Sequence, residues 1–131
     1  MPGSVRTRRP MRSLWGRRIL VLEDEYFLAE VLERVLSAEG VVVIGPFASM
    51  AHVEGVSFSE IDGAVLNVRV QDGLSYPLAQ RLREYGIPFV FASGQDRLSE
   101  PKEWHDCEWV PKPYDARRLI AALHRVMGVE A

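Results

Sequence analysis

The sequence predicts an α/β fold in which a doubly wound, five-stranded parallel sheet carries helices on both faces. The chain has 131 residues, which is the size of one domain. From Arg18 onward, short apolar runs alternate with segments of helical period, the order expected of βαβ units on a parallel sheet. The runs are almost wholly apolar, as are strands that are covered on both faces. A single domain built around a buried sheet is therefore expected.

The first half of the chain predicts three strands and two helices. They are, in order, a strand over 19–22, a helix over 26–38, a strand over 41–44, a short helix ending near Gly55 and a strand over 61–66. In the first helix, apolar residues recur at three-to-four spacing, and Gly40 supplies a left-handed stop. Ser49 is expected to cap the short helix. Of the two aromatic residues that open the first helix, Tyr26 is expected at the surface and Phe27 in the core.

The second half of the chain predicts two more strands and a long last helix. Its elements are, in order, a helix over 75–85, a strand over 89–92, a strand over 108–110 and a helix that begins after Asp115. Asp115 is a good N-cap, and the apolar residues that follow it recur at helical spacing. The stretch 95–107 is poor helix material, and Pro101 limits any helix there to a turn or two.

Basic residues are concentrated at the start of the chain. Residues 1–18 contain six arginines and no acid, whereas the whole chain has a formal net charge of −2. We expect residues 1–17 to be a flexible basic arm and residues 18–131 to be the folded domain. Such an arm could contact nucleic acid or an acidic partner. The acidity of the body disfavours nucleic acid.

Several classes of function are not indicated. The single cysteine, Cys107, excludes an internal disulfide, and His52, His105 and His124 share no metal-ligand spacing. No serine or cysteine lies in a recognisable nucleophile motif, so no enzymatic activity is expected. No apolar run approaches the roughly 20 residues needed to span a bilayer, and the chain starts without a secretory signal. The expectation is a cytoplasmic protein without membrane contact.

Polar residues follow four of the predicted strands. Glu23 and Asp24 follow the first strand, Asn67 the third, Ser93 the fourth and Lys112 the fifth. Ligands of doubly wound sheets bind at the carboxyl ends of the strands, so these side chains are expected to converge. Paired acids suit a hard divalent cation, while a hydroxyl and a lysine suit a phosphoryl group. The nucleophilic carboxylate that phosphoryl transfer would need at the centre is absent.

Five segments resemble the receiver domain of two-component response regulators, the CheY-like family. They are residues 19–25 (ILVLEDE), 64–68 (AVLNV), Asp72-Gly73, 89–94 (FVFASG) and Lys112-Pro113. The resemblance covers nearly all of residues 18–128, and it implies the flavodoxin-like strand order 2-1-3-4-5. With Pro88 before it, the fourth segment also resembles the PFxFATG signature of the FAT GUY group of single-domain regulators, with Ser93 in place of threonine.

The resemblance implies a metal site and a phosphoacceptor position. Asp24 would be the direct Mg²⁺ ligand, Glu23 the outer acid and the main-chain carbonyl of Arg69 a third ligand. Asn67 lies where the family places its phosphorylated aspartate. An amide is uncharged and a far poorer nucleophile than a carboxylate, so acyl-phosphate formation should fail. We expect any Mg²⁺ binding to be weakened for the same reason.

The resemblance also implies the residues that sense phosphorylation in the family. Ser93 would be the switch hydroxyl, Trp109 the switch aromatic and Lys112 the phosphate-sensing lysine. The bulk of Trp109 makes an inward flip difficult, so a fixed, half-buried or outward position is expected. The proline after Lys112 is often preceded by a cis peptide bond in the family.

These observations lead to two hypotheses of function. The first is an atypical stand-alone receiver that signals through phosphorylation-independent protein contact with a histidine kinase, a phosphotransferase or a downstream regulator. The family docks partners, or a second copy, on the face formed by helix four, strand five and helix five, where Trp104 and Trp109 would lie. The alternative is a phosphoryl-accepting receiver of a phosphorelay, which requires Asn67 to be engineered or another acid, such as Asp72, to take the phosphoryl group.

Overall fold

The computed structural model describes residues 13–128, which form a five-stranded parallel sheet between layers of helices. The strands are β1 (Arg18–Leu22), β2 (Val42–Phe47), β3 (Gly63–Asn67), β4 (Phe89–Ser93) and β5 (Glu108–Pro111). The α-helices are α1 (Tyr26–Ala38), α2 (Tyr76–Glu84) and α3 (Ala116–Met127). All neighbouring strands pair in parallel in the order β2-β1-β3-β4-β5. The predicted fold class and strand order are confirmed.

The sheet separates two apolar layers because its strands alternate side chains between the two faces. The layer that contains α2 includes Leu20, Leu66, Phe91, Leu78 and Leu82. The layer that contains α1 and α3 includes Val21, Val65, Val90, Leu36 and Leu123. Helices therefore cover both faces, and the central strands are buried along their length. Burial of both faces explains why these strands are continuous apolar runs in the sequence.

Helix α1 is amphipathic, and one residue that was expected in the core lies at the surface instead. Leu32 and Leu36 are fully buried, whereas Phe27 is 72% exposed and Tyr26 is 79% exposed. The expectation that Phe27 belongs to the core is wrong, because Phe27 points away from the side of α1 on which Leu32 and Leu36 are buried. Within residues 13–128, no helix combines the length and the apolar character that crossing a membrane requires.

The connections around β3 contain structure that the sequence did not predict. Arg69–Val70 and Gly73–Leu74 form a two-stranded antiparallel hairpin between β3 and α2. Its turn residue Asp72 accepts hydrogen bonds from the backbone N–H groups of Met50 (2.9 Å) and Ala51 (3.0 Å). Asp72 thus caps the 3₁₀ segment that begins at Ala51, where the sequence predicted a cap by Ser49. A cap that comes from a distant loop cannot be recognised from the sequence next to the helical segment.

The segment that stands in place of a fourth helix is two 3₁₀ turns, Arg97–Ser99 and Lys102–Trp104, as expected from Pro101. Trp104 is 2% exposed and stacks on Tyr76 with ring centroids 5.4 Å apart. The prediction that Trp104 is available to a partner is therefore wrong. Burial of an aromatic side chain this large stabilises the core.

The folded body begins before Arg18. Leu14 is 1% exposed, and the N–H of Gly16 donates to the carbonyl of Gly40 at 2.8 Å. The ring of Trp15 lies directly over Gly40, where a Cβ would come within 2.0 Å of it. Gly40 also has φ +79°, so glycine is required there for two reasons. The predicted arm therefore includes residues that pack on the body, and its remainder, residues 1–12, lies outside the described residues.

Candidate functional site

The polar residues that follow the strands meet in one pocket at the carboxyl edge of the sheet. The pocket has a volume of about 390 Å³, and its lining includes Asp24, Asn67, Arg69, Ser93 and Lys112. We call it the strand-end pocket. The parallel register of β1, β3, β4 and β5 brings the four strand ends to the same edge. The polar side chains at these strand ends therefore converge, as the sequence led us to expect.

The side-chain amide of Asn67 lies at the centre of this pocket and is 6% exposed. Its Nδ2 donates to the main-chain carbonyl of Arg69 at 2.8 Å, to Glu23 Oε2 at 3.2 Å and to Asp24 Oδ1 at 3.3 Å. The two N–H groups of this amide are thus shared among three acceptor oxygens. Turning the amide over would place its carbonyl oxygen against three acceptors, so the neighbours fix its orientation.

The carboxylate of Glu23 is buried, and donors surround it. Its Oε1 accepts from the phenol of Tyr114 at 2.7 Å and lies 3.1 Å from Lys112 Nζ. Its Oε2 accepts from the backbone N–H of Glu25 at 3.0 Å, in addition to the Asn67 amide. A buried carboxylate is tolerated when it is paired and hydrogen-bonded in this way. Both oxygens of Glu23 are therefore already engaged by the chain itself.

Tyr114 contacts the buried Glu23 carboxylate beside the pocket, a role that the sequence did not predict. It follows the cis Lys112–Pro113 peptide, and burial together with the neighbouring Glu23 carboxylate raises the pKa of its phenol. The phenol therefore stays protonated and donates to Glu23 at neutral pH. The sequence did contain a signal for this role. Tyr114 lies two residues beyond Lys112, just after β5, so its hydroxyl is at the same edge of the sheet as Glu23 and Asp24.

The two predicted switch residues occupy different surroundings. Ser93 is 5% exposed, and its Oγ accepts from the backbone N–H of Gln95 at 3.0 Å. Trp109 is half-buried, stacks on Phe91 with centroids 4.7 Å apart, and donates from Nε1 to the carbonyl of Trp104 at 3.0 Å. Trp109 thus has the half-buried position that was expected of it. Its indole is held against the α2-side layer rather than inside the strand-end pocket.

The residues implied as Mg²⁺ ligands do not fit a divalent cation in this arrangement. The oxygens of Glu23, Asp24 and the Arg69 carbonyl that would face the ion all accept from the amide of Asn67. A cation placed among them would meet the hydrogens of that amide, whereas Mg²⁺ requires oxygen ligands in near-octahedral geometry. Within residues 13–128, no group of three or more His, Cys, Asp or Glu side chains is arranged to hold a metal.

A second buried acid, Glu100, ties the loop after β3 to the 3₁₀ segment before β5. Its carboxylate accepts from Arg69 Nη1 at 3.0 Å and from the phenol of Tyr76 at 2.6 Å. Its carbonyl lies 2.6 Å from Nε2 of His105. Burial favours the neutral acid, but the hydrogen bonds from Tyr76 and Arg69 outweigh it and hold the pKa of Glu100 below its ordinary value. Arg69 therefore links Glu100, through its side chain, to Asn67, through its carbonyl.

Asp72, the alternative phosphoacceptor suggested by the sequence, lies outside the strand-end pocket lining. Both of its carboxylate oxygens accept the backbone hydrogen bonds described above. The bond from Met50 is the main cause that lowers the pKa of Asp72 below its ordinary value. Asp72 thus has a structural role as a cap.

Curated relatives of the chain are regulatory proteins. The response regulator MprA of Mycobacterium ulcerans is 28% identical over 117 residues, which is 84% of this chain and 50% of that protein. VanR of Enterococcus faecium is 26% identical over 109 residues. The chain spans about half the length of the curated relatives it matches. No protein-family model matches it.

Solved structures that match the chain include receiver domains and response regulators. SdrG of Sphingomonas melonis is 31% identical, and the match covers 86% of this chain and 97% of that one with a TM-score of 0.67. The non-phosphorylated receiver domain of HemR from Leptospira biflexa is 26% identical, with 88% and 97% covered and a TM-score of 0.72. Fold, strand-end residues and relatives agree: the chain belongs to the receiver-domain family of two-component response regulators.

Proposed function

We propose that this receiver domain acts through protein–protein contact that requires neither phosphorylation nor a bound metal. The observation that carries the proposal is the amide of Asn67, whose nitrogen donates to Glu23, Asp24 and the carbonyl of Arg69. These are the oxygens that would otherwise hold a cation beside the phosphoacceptor. The phosphoacceptor position is therefore filled by a hydrogen-bond donor.

The chemistry of Asn67 argues against phosphoryl transfer to it. Attack on phosphorus needs an electron pair on an exposed oxygen, and a carboxylate supplies one. The amide nitrogen has its lone pair delocalised into the carbonyl, and its hydrogens face the three acceptors. With 6% exposure, the side chain also offers little surface to a phosphodonor.

The charges and hydrogen-bond donors of the strand-end pocket stabilise its carboxylates without requiring a bound cation. Three clustered carboxylates would repel one another, and a phosphorylatable receiver would have them here. In this chain two carboxylates, Glu23 and Asp24, face the amide of Asn67, the ammonium of Lys112 and the phenol of Tyr114. The loops that follow β1, β3 and β5 are therefore joined by direct contacts. The surface they form is set by the sequence rather than by phosphorylation.

The partner class follows from the family. Response regulators contact other signalling proteins, and a histidine kinase, a phosphotransferase or a downstream regulator fits a receiver with this pocket. The same arrangement supports a non-enzymatic role, because the phosphoacceptor position holds an amide in place of a nucleophilic carboxylate. Phosphoryl acceptance by Asp72 is not favoured by any contact, since both of its oxygens cap the 3₁₀ segment.

Partner capture with and without phosphodonor tests the proposal. Immobilised full-length chain is exposed to an extract of its own source cells, with or without acetyl phosphate and Mg²⁺, and bound proteins are identified by mass spectrometry. We expect the wild type to retain the same signalling proteins in equal amounts under both conditions. Asn67→Asp serves as the phosphorylatable comparison, and Asp72→Asn controls for the second acid. A change in the wild-type partners on adding phosphodonor, lost in Asp72→Asn, would overturn the proposal in favour of phosphorelay.

A further inference from the structure

The carbonyl and the side chain of Arg69 contact two different parts of the domain. The carbonyl accepts from Asn67 Nδ2 at 2.8 Å, which is the shortest of the three contacts of that amide. The guanidinium reaches Glu100, 31 residues further along the chain, with Nη1 3.0 Å from Oε2. One residue thus contacts both the centre of the strand-end pocket and the two 3₁₀ turns before β5. We call these turns, residues 97–104, the double-turn segment.

Glu100 lies between the two turns and is hydrogen-bonded towards both. Its backbone N–H donates to the carbonyl of Arg97, in the first turn, at 2.9 Å. Its carbonyl lies 2.6 Å from Nε2 of His105, which follows the second turn. The side chain of Glu100 is 2% exposed, so little water is available to replace the guanidinium of Arg69. The position of Glu100 therefore affects the ends of both turns.

The phenol of Tyr76 holds the other oxygen of the Glu100 carboxylate. Its hydroxyl donates to Oε1 at 2.6 Å, and its ring stacks on Trp104 at the end of the second turn. Burial, followed by the hydrogen bond to Glu100, raises the pKa of this phenol, so it remains a donor at neutral pH. Tyr76 thus fixes the carboxylate from α2, while Arg69 fixes it from the side of the strand-end pocket. Of these two contacts, the one from Arg69 is connected to Asn67.

The two switch residues implied by the family resemblance are anchored elsewhere. The Oγ of Ser93 accepts from a backbone N–H of its own loop, and the indole of Trp109 donates to the carbonyl of Trp104. Among the hydrogen bonds of residues 13–128, none joins either side chain to Asn67 or Arg69. Arg69 therefore provides a polar connection from Asn67 to the double-turn segment that does not involve the switch residues.

We propose that Arg69 is a positioning residue through which the amide of Asn67 holds the double-turn segment in one arrangement. The donor at residue 67 fixes the carbonyl of Arg69 at the start of the hairpin, and the guanidinium is then placed to meet Glu100. The inference rests on the proposed function, in which residue 67 is a permanent donor, and it names how that residue sets a surface outside the pocket. The surface around the exposed Leu98 then depends on the identity of residue 67.

Hydrogen exchange of the full-length chain, without phosphodonor, metal or partner, tests the connection. Arg69→Met keeps the carbonyl that Asn67 binds and removes the guanidinium. We expect the hydrogen-bonded amides of residues 99–105 to lose protection by about fivefold or more, as for the loss of a hydrogen bond to a charged group. Arg97→Met is the matched control, because Arg97 is an exposed arginine of the same segment. It should leave the protection of these amides unchanged.

A double-mutant cycle shows whether the effect originates at residue 67. Asn67→Ala removes the donor without adding charge, and by itself it should lower the protection of the same amides by about threefold or more. In the Arg69→Met background the substitution should cause no further loss, because the guanidinium that connects the two sites is gone. Equal losses from Asn67→Ala in both backgrounds, no loss from Arg69→Met, or an equal loss from Arg97→Met overturns the proposal.

Two features keep the outcome unambiguous. Thermal melting verifies that each variant is folded, and Asn67→Ser replaces Asn67→Ala in the cycle if the latter does not fold. Exchange is measured without phosphodonor or partner, so an additive cycle overturns the connection through Arg69 and leaves the proposed function standing. A phosphodonor-dependent change in captured partners overturns the proposed function and leaves the measured coupling as it is.

Discussion

Lys112 and Glu23 form a buried ion pair in which Nζ lies 3.1 Å from Oε1. The pair joins two loops that are 89 residues apart in the chain, one after β5 and one after β1. The Glu23 side chain is 0% exposed and that of Lys112 is 13% exposed, so water screens the interaction little. This contact fixes the edge of the strand-end pocket.

Removing the ammonium should destabilise the fold. Lys112→Met leaves the Glu23 carboxylate buried without its charge partner, and we expect the free energy of unfolding at pH 7 to fall by about 3 to 5 kcal/mol. Urea unfolding followed by tryptophan fluorescence measures it. The double variant Glu23→Gln, Lys112→Met should lose less than Lys112→Met alone, because the uncompensated charge is gone. Equal stability of Lys112→Met and wild type would contradict the structural role of the pair.

The phenol of Tyr114 should stabilise the protein in a pH-dependent way. Tyr114→Phe removes a hydrogen bond to a buried carboxylate, so we expect a loss of about 1.5 to 3 kcal/mol at pH 8. Burial, followed by the Glu23 carboxylate, raises the pKa of this phenol above its ordinary value of 10.0. The protonated phenol therefore contributes fully below pH 10, and the contribution declines as the pH rises further. Urea unfolding at a series of pH values should show the wild-type advantage constant up to pH 10 and smaller above it. An advantage that grows at alkaline pH would be inconsistent with this donor role.

Asn67→Asp should restore affinity for Mg²⁺. The substitution replaces the amide donor by an oxygen beside Glu23, Asp24 and the carbonyl of Arg69, which is the ligand set a hard cation prefers. We expect the dissociation constant for Mg²⁺ to fall by about tenfold or more relative to wild type in isothermal titration calorimetry. Without metal, the variant should unfold more easily than wild type because three carboxylates then repel one another. Asn67→Ala is the control that separates the loss of the amide from the gain of the charge. Equal Mg²⁺ affinity of Asn67→Asp and wild type would refute the prediction.

Glu100 should hold the 3₁₀ segment against the loop after β3. Glu100→Ala removes the acceptor of Arg69 and leaves the phenol of Tyr76 without its partner, which should cost about 1 to 3 kcal/mol. Hydrogen exchange should quicken in residues 97–107, while the amides of β1 exchange as in wild type. Glu103→Ala, at an exposed position of the same segment, is the control. Uniform quickening across the sheet would instead indicate that Glu100 acts only on global stability.

Local signals in the sequence were sufficient to predict the sheet and most of the polar residues at its carboxyl edge. The strands are continuous apolar runs because both faces are buried, and that pattern is visible without coordinates. Parallel topology then places the ends of β1, β3, β4 and β5 together, so Glu23, Asn67, Ser93 and Lys112 were predicted as neighbours. Pro101 likewise predicted the loss of a regular fourth helix, because proline cannot continue a helix.

What the sequence did not predict depends on contacts between distant segments. Tyr114 was not predicted because its role is to donate a hydrogen bond to the buried carboxylate of Glu23. Only the fold brings these two residues together. Ser49 looked like a helix cap, but Asp72 reaches the same backbone from another loop. Phe27 was expected in the core, yet its ring is 72% exposed. Periodicity indicates which side of a helix is apolar and not what lies against it.

Intact-protein mass spectrometry after incubation with acetyl phosphate and Mg²⁺ tests the central claim most directly. Wild type, Asn67→Asp and Asp72→Asn are compared at neutral pH, before and after mild acid treatment. We expect wild type and Asp72→Asn to keep their original mass and only Asn67→Asp to gain an acid-labile phosphoryl group. An acid-labile phosphoryl adduct on the wild-type chain would contradict it.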